Sequence, residues 1–202
     1  MRYTGPKAKK ARRLGMAFTA KDAKVLQKRN FAPGVHGQNR VRHSEYGLQL
    51  REKQKAKIAY GIMERQFENY FNKALRQSGV TGNNLLKLLE MRLDNIVFRF
   101  GFGETRAQAR QLVNHGFFEV NGKKVDIASY QVKPGDTVAI KASKQKKAYV
   151  ERIKDKMKTF KTLDWLQLNP EKFSGKVLSS PEVENLGIEI NTQLIVEHYS
   201  RT

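Results

Sequence analysis

From Ile58 onward, apolar residues recur at three- and four-residue steps: Ile58, Ile62, Met63, Phe67, Tyr70, Phe71, Ala74 and Leu75. That spacing lines one face of a helix. It predicts a core-facing helix from Gly47 to the breaks at Ser78-Gly79 and Thr81-Gly82, with Arg51, Lys53, Lys55 and Lys57 making its first half basic. The period resumes over Leu85, Leu86, Leu88, Leu89, Leu93, Ile96, Val97 and Phe100, and Asn83 or Asn84 can cap this second helix. Two amphipathic helices joined by a short turn predict a helical subdomain.

Past Gly101 and Gly103 the pattern changes. Thr105-Arg106-Ala107-Gln108 has the form of a capping box, in which Thr105 accepts from the first turn and Gln108 reaches back. It opens a short helix that reaches about Asn114 and stops at Gly116. Asn121-Gly122 lies between Phe117–Val120 and Lys123–Ile127, and an Asn-Gly pair flanked by alternating apolar positions is a strong hairpin signal. Pro134-Gly135-Asp136 turns the chain into a further strand, Thr137–Ile140. Ser143 opens a Lys-rich helix through Val150, Ile153 and Met157; Leu163–Leu168 and Lys176–Leu178 read as two more strands; and Asn191 can cap a last helix holding Leu194, Ile195 and Tyr199. Helices at the ends and short strands between them predict an α+β fold. There is no internal repeat.

Composition adds what periodicity cannot. The 202 residues are enough for one or two domains with a buried core. With no cysteine there is no disulfide framework, thiolate nucleophile or Cys-type zinc site. No apolar run approaches the ~20 residues that span a bilayer, and none follows the basic N-terminus as a signal peptide requires. Met1 to His43 has no sustained amphipathic period, which argues against an organellar transit peptide. These features point to a soluble, intracellular protein without a membrane partner.

The chain carries 39 Lys and Arg against 19 Asp and Glu, a formal net charge of +20. A surplus of that size attracts polyanions. Residues 1–43 hold Arg2, Lys7, Lys9, Lys10, Arg12, Arg13, Lys21, Lys24, Lys28, Arg29, Arg40 and Arg42 against Asp22 alone, a net +11. Residues 159–202 run the other way, at −2, and suit a protein neighbour better than phosphate. The first 43 residues are poor in large apolar side chains and broken by Gly5, Pro6, Gly15, Pro33, Gly34 and Gly37, so they are expected to be extended and to order on a partner. Phe31-Ala32-Pro33-Gly34-Val35-His36-Gly37 is an exception, since an aromatic followed by a Pro-Gly turn implies a defined path.

Arg106 and Arg110 lie four residues apart on one face of their helix, Arg106 near its positive end, and both suit a phosphate. Lys123 and Lys124 follow the hairpin turn, with His115 and Asn121 as nearby donors. A helix and hairpin with these groups fit a folded RNA, which is read by shape and 2′-hydroxyls. Reversing Arg106 and Arg110 to Glu is expected to weaken RNA binding and leave the fold intact. Catalytic constellations are scarce: His36, His43, His115 and His198 are scattered, and neither GxGxxG nor GxxxxGK[ST] occurs. Arg92-Leu93-Asp94 is like the Arg-Leu-Asp of pseudouridine synthases, but it lies inside an apolar helical pattern without the preceding Gly and reads as helix surface and packing.

The segments Ser44–Lys55 (SEYGLQLREKQK), Glu90–Val97 (EMRLDNIV), Thr105–Val113 (TRAQARQLV) and Val120-Asn121-Gly122 resemble the S-four family of small-subunit ribosomal proteins, bacterial type, and the match covers essentially the whole chain. The resemblance implies a helical domain interrupted by an RNA-binding module, a five-stranded antiparallel sheet with helices, after which the chain returns to the helical part. The boundaries expected are a basic N-terminal extension over 1–43, a helical domain over 44–91 completed by 184–202, and the RNA-binding module over 92–183. It also implies primary binding to the 5′ domain of 16S-type ribosomal RNA, nucleation of subunit assembly, contact with ribosomal proteins three and five, a functional link to protein twelve, mRNA nearby where it enters the subunit, and an effect on decoding accuracy in the cytoplasmic ribosome. By position, the RNA-contacting module maps to Arg106, Arg110, His115, Asn121, Lys123 and Lys124, and the basic helix to Arg51, Lys53 and Lys55. The extension adds Arg2, Lys7, Lys9, Lys10, Arg12, Arg13, Arg40 and Arg42. Some members carry zinc-binding cysteines near the N-terminus; this chain has none, so no zinc and no other cofactor is expected.

The leading expectation is a structural RNA-binding protein of the small ribosomal subunit without catalytic activity. An RNA-modification enzyme using the same module would need an appended catalytic domain, for which the residues after 160 are too few. A general RNA chaperone is the other alternative, and it predicts little preference among RNAs of equal length.

Overall fold

The computed structural model describes residue 3, residues 5–39 and residues 41–201. The described residues up to Gly82, with those from Ile188 on, make one compact unit, and Asn83–Gly187 make a second. No helix among the described residues is long and apolar enough to cross a membrane.

The first unit contains α1 (Lys7–Leu14), α2 (Ala20–Lys28), α3 (Glu45–Ala59) and α4 (Glu64–Leu75). The N-terminal segment, expected to be extended, therefore has helices of its own: Ala11 and Leu14 are buried on α1, and Thr19 caps α2 by accepting from the Asp22 amide. The single helix expected from Gly47 to Leu75 is two. Gly61 takes φ +63 after α3, and the Ile62 and Gly61 amides close back onto Lys57 and Ile58 carbonyls at 3.0 and 3.2 Å. A left-handed glycine ends a helix in this way because it alone adopts the conformation without a Cβ penalty. The apolar period ran across the break because Ile58 is half-buried before it and Ile62 and Phe67 are buried after it. The last helix, α10 (Thr192–Ser200), is capped as expected by Asn191, whose side chain accepts from the Gln193 and Leu194 amides, and its Tyr199 ring stacks on Phe71 at 4.5 Å between centroids.

In the chain between them, α5 (Thr81–Glu90) begins before Asn83 and Asn84, so neither is its cap, and α6 (Leu93–Arg99) is a separate helix rather than its continuation. The break falls at Met91-Arg92 because a distant segment pairs there: Leu93 and Asp94 amides donate to the Tyr130 and Ala128 carbonyls at 2.8 and 3.2 Å, and the Val132 amide to Met91 at 2.9 Å. Next come α7 (Arg106–Asn114), β1 (Phe118–Val120), β2 (Lys123–Lys124) and β3 (Thr137–Ile140). The Lys-rich helix is also two, α8 (Ala142–Gln145) and α9 (Ala148–Lys158). They are followed by β4 (Leu166–Asn169), β5 (Ser174–Val177) and a short 3-10 turn over Val183–Leu186.

The five strands form one antiparallel sheet in the order β2-β1-β3-β5-β4. Its registers include Glu119 opposite Lys124, Val120 opposite Val138, and Val138 opposite Gly175. Alternation puts Phe118, Val120, Val138, Ile140, Leu166 and Val177 on the buried face, in one core with Phe100 and Phe102 just past α6 and with Leu112, Val113, Val150, Ile153 and Met157 from the helices. One face of sheet and one layer of helix enclose the core of this unit, a mixed α+β architecture.

Candidate nucleic-acid interface

The α7 helix and the β1–β2 hairpin are built as their sequence requires. Thr105 accepts from the Gln108 amide at 3.2 Å, and the Gln108 side chain reaches back to the Glu104 amide at 2.8 Å, one residue earlier than the Thr105 amide of a standard box. The turn places Asn121 at φ 50 and Gly122 at φ 77, the two positive angles that an Asn-Gly hairpin supplies. The Asn121 side chain completes the turn by donating to Asp136 at 2.7 Å and accepting from the Thr137 amide at 2.9 Å. It is thereby committed to the hairpin. His115, Lys123 and Lys124 are exposed, and Lys124 pairs loosely with Asp126 at 3.2 Å.

Arg106 and Arg110 do not simply project outward. Arg106 donates through Nε to Asn95 at 2.7 Å, comes within 3.8 Å of Glu90 and lies 4.6 Å over the Phe98 ring; Arg110 donates to Asp94 at 3.3 Å. Their side chains keep only 18% and 16% exposure. Both rest on a polar layer in which Glu90, Arg92, Asp94 and Asn95 are buried. Glu90 accepts two bonds from Arg99 at 2.9 and 2.8 Å and one from Asn95 at 2.8 Å, while Arg92 makes a two-pronged pair with Asp94 at 3.0 and 2.7 Å. Arg99 also reaches the Leu186 carbonyl at 3.0 Å. Arg92 is 1% exposed. Arg92-Leu93-Asp94, read from sequence as helix surface and packing, is all interior, and its charges are held there because each meets its opposite with good geometry.

In the first unit the basic helices sort their cations by direction. On α1, Lys9 and Arg13, four residues apart, are exposed, whereas Ala11 and Leu14 are buried and Lys7 and Lys10 are half-buried. Lys10 lies 3.5 Å from the centroid of the Tyr3 ring, and burial together with the Lys57 charge lowers its pKa. Arg12 is turned onto the 31–32 backbone. Arg42 is exposed, and Arg51 meets His43 at 2.8 Å. Lys55 is paired with Glu52 at 2.6 Å. Lys53, expected on a phosphate-facing surface, is buried, 2.7 Å from Glu64 and 5.4 Å from the Tyr199 ring centroid. Burial pushes the Glu64 carboxyl up, but hydrogen bonds and charge from Lys53 and Lys57 outweigh it and hold the group down at about 2. Burial, then the Glu64 charge, raises the pKa of Tyr199, whose hydroxyl donates to Glu64 at 3.1 Å. Arg2 and Arg40 lie outside the described residues. Among the described residues, no three His, Asp or Glu side chains gather where they could hold a metal ion.

Residues 2–90 match the family described as ribosomal protein S4/S9 N-terminal domain, and residues 91–138 match the S4 domain. A Thermoanaerobacter protein named small ribosomal subunit protein uS4 is 49% identical over 207 aligned residues, covering 99% of each chain. Proteins of the same name from a Roseiflexus species and from Chloroflexus aurantiacus are 50% identical over 204, again covering 99% of each. The chain belongs to the uS4 family. Within this chain, the S4 domain match begins at Met91, where the buried polar layer is assembled, and continues through α7 and the hairpin. Glu90, Asn95 and Arg99 were given no role from the sequence, and Asp94 was read only within Arg92-Leu93-Asp94 as helix surface and packing. No periodic signal marks them, because positions 90, 94, 95 and 99 fall between the apolar positions Leu89, Leu93, Ile96, Val97 and Phe100, where polar residues are expected on an exposed face.

Proposed function

We propose that this chain is a structural, non-catalytic constituent of the small ribosomal subunit that binds the subunit's RNA directly. The end-to-end match to proteins named for that subunit carries the reading. The exposed cations support it: Lys9 and Arg13 on α1, Arg42 before α3, and His115, Lys123 and Lys124 around the hairpin supply charge at separated points of an irregular RNA surface. Arg106 and Arg110 serve the RNA from a fixed position, since their inner donors are tied to Asn95 and Asp94. In this reading the RNA is the 5′ domain of 16S-type ribosomal RNA and binding comes early in assembly of the cytoplasmic subunit. Proteins three and five are neighbours, mRNA enters close by, and protein twelve is linked through decoding accuracy.

Competition tests it. The 5′ domain of small-subunit ribosomal RNA should displace a labelled copy at least about tenfold better than an equal mass of unrelated structured RNA, and affinity should fall about a thousandfold between 50 and 200 mM salt if roughly six phosphates are neutralised. Equal competition would mark a general RNA chaperone, and a flat salt response would exclude phosphate neutralisation as the source of affinity.

A further inference from the structure

Arg12 stands beside the exposed Arg13 on a strongly basic helix, yet its guanidinium is used inside the protein. Nε donates to the Phe31 carbonyl at 3.0 Å and Nη2 to the Ala32 carbonyl at 3.2 Å, with the guanidinium 4.8 Å from the centroid of the Phe31 ring. Two adjacent carbonyls match the fixed fork of arginine and no other side chain. Among the described residues, the other hydrogen bonds of the loop they belong to lie within the loop itself. Val35 at its tip is 96% exposed, and the chain has no cysteine to bridge it.

The loop is nevertheless tight. The Gly37 amide donates to Gly34 at 3.1 Å and the Asn39 amide to His36 at 3.1 Å. A Cβ added at Gly37 would fall 1.8 Å from the Ala32 carbonyl oxygen, the same oxygen that Arg12 holds. One backbone group is thus gripped from α1 and overlaid by Gly37, so the fold of residues 31–39 depends on a contact made across about twenty residues of chain.

We propose that Arg12 is a positioning residue: it fastens the 31–37 loop to α1 and thereby sets the path of the basic N-terminal segment before RNA arrives, instead of serving as one more phosphate contact. The proposal rests on the RNA-binding reading above for its consequence, though the fastening itself needs no RNA. It also follows that the segment's described cations are presented on a partly pre-formed scaffold, which lowers the ordering cost of binding.

The test uses the full-length protein and three variants, Arg12→Lys, Arg12→Ala and Gly37→Ala, the last of which changes no charge. Hydrogen exchange of the amides of residues 31–39, measured without RNA, should rise about tenfold in all three, as expected when a local opening loses roughly two hydrogen bonds. Protection in α3 and α4 should stay unchanged, which shows that the variants fold. Affinity for the ribosomal RNA fragment should fall by a similar factor in all three, with the salt slope of Gly37→Ala equal to that of the parent. Retention of protection and affinity by Arg12→Lys, with loss only in Arg12→Ala, would make Arg12 a charge contact and overturn the proposal. Raised exchange with undiminished RNA affinity would overturn it too. If the parent protein shows no preference for this RNA, the proposed function fails while the exchange result still decides the fastening.

Discussion

In the second unit, the guanidinium groups of Arg92, Arg99, Arg106 and Arg110 all end on Glu90, Asp94 or Asn95, whereas on α1 and after the 31–39 loop Lys9, Arg13 and Arg42 are exposed. Both regions are rich in cations, and the difference, among the described residues, lies in whether an acid is folded within reach. Where it is, the cation is spent on joining α5, α6 and α7; where it is not, the charge is left to attract a polyanion. Net charge by itself does not separate these uses. A sequence rich in arginine is a candidate for RNA binding only to the extent that its acids are engaged elsewhere.

The comparison is most easily broken at Glu90, which is fully buried and accepts from Arg99 and Asn95. Replacing it with Gln keeps the shape and removes the charge, leaving Arg99 without its carboxylate in a nearly closed site. The expected cost is about 3–5 kcal/mol by urea unfolding. A loss under ~1 kcal/mol would show that the layer is screened by water and that the inward arginines are not structural.

How far the sequence reached follows the same division between local and distant causes. The Thr105 and Asn191 caps, the Asn121-Gly122 turn and the strand at Thr137–Ile140 depend on neighbours within a few residues, and they were legible. Gly61 was visible but overruled by an apolar period that continues on both sides of it. The break at Met91-Arg92 was not legible, because residues 128–132 make it. For the site, the positions of the cations could be read and their directions could not: Lys53, Arg12 and Arg106 each turn to a partner at least eleven residues away, Glu64, Phe31 and Asn95 respectively.

A pair of reversals sharpens the comparison further. Arg106→Glu would bring a carboxylate to Asn95 beside Glu90, so this reversal is expected to cost about 2 kcal/mol of stability even where the fold stays intact. Arg13→Glu should stay within about 0.5 kcal/mol of the parent in stability, yet reduce the slope of log affinity against log salt by about 0.9, one phosphate contact. Unfolding midpoints and a salt series on the same two proteins read both effects. Equal stability losses would erase the distinction between the regions.

A smaller stability effect than at Glu90 or Arg106 is expected at Glu64, where the first unit repeats the inward pairing on a modest scale. Its carboxyl is held at about 2 by Lys53 and Lys57, against an ordinary value of 4.5. A carboxylate depressed on folding contributes stability that is complete above its unfolded pKa and lost as pH falls through the folded one, so the window runs from about 4.5 down to 2. With 44% of the side chain exposed, solvent screening reduces the contribution to about 1 kcal/mol. Glu64→Gln should therefore lie about 1 kcal/mol below the parent at neutral pH, and the gap should close toward zero as pH approaches ~2. Urea midpoints of the two proteins across that range measure it. A gap independent of pH would mean that Lys53 is kept inside by packing against Tyr199 alone, and that the sorting of cations by nearby acids does not extend to this unit.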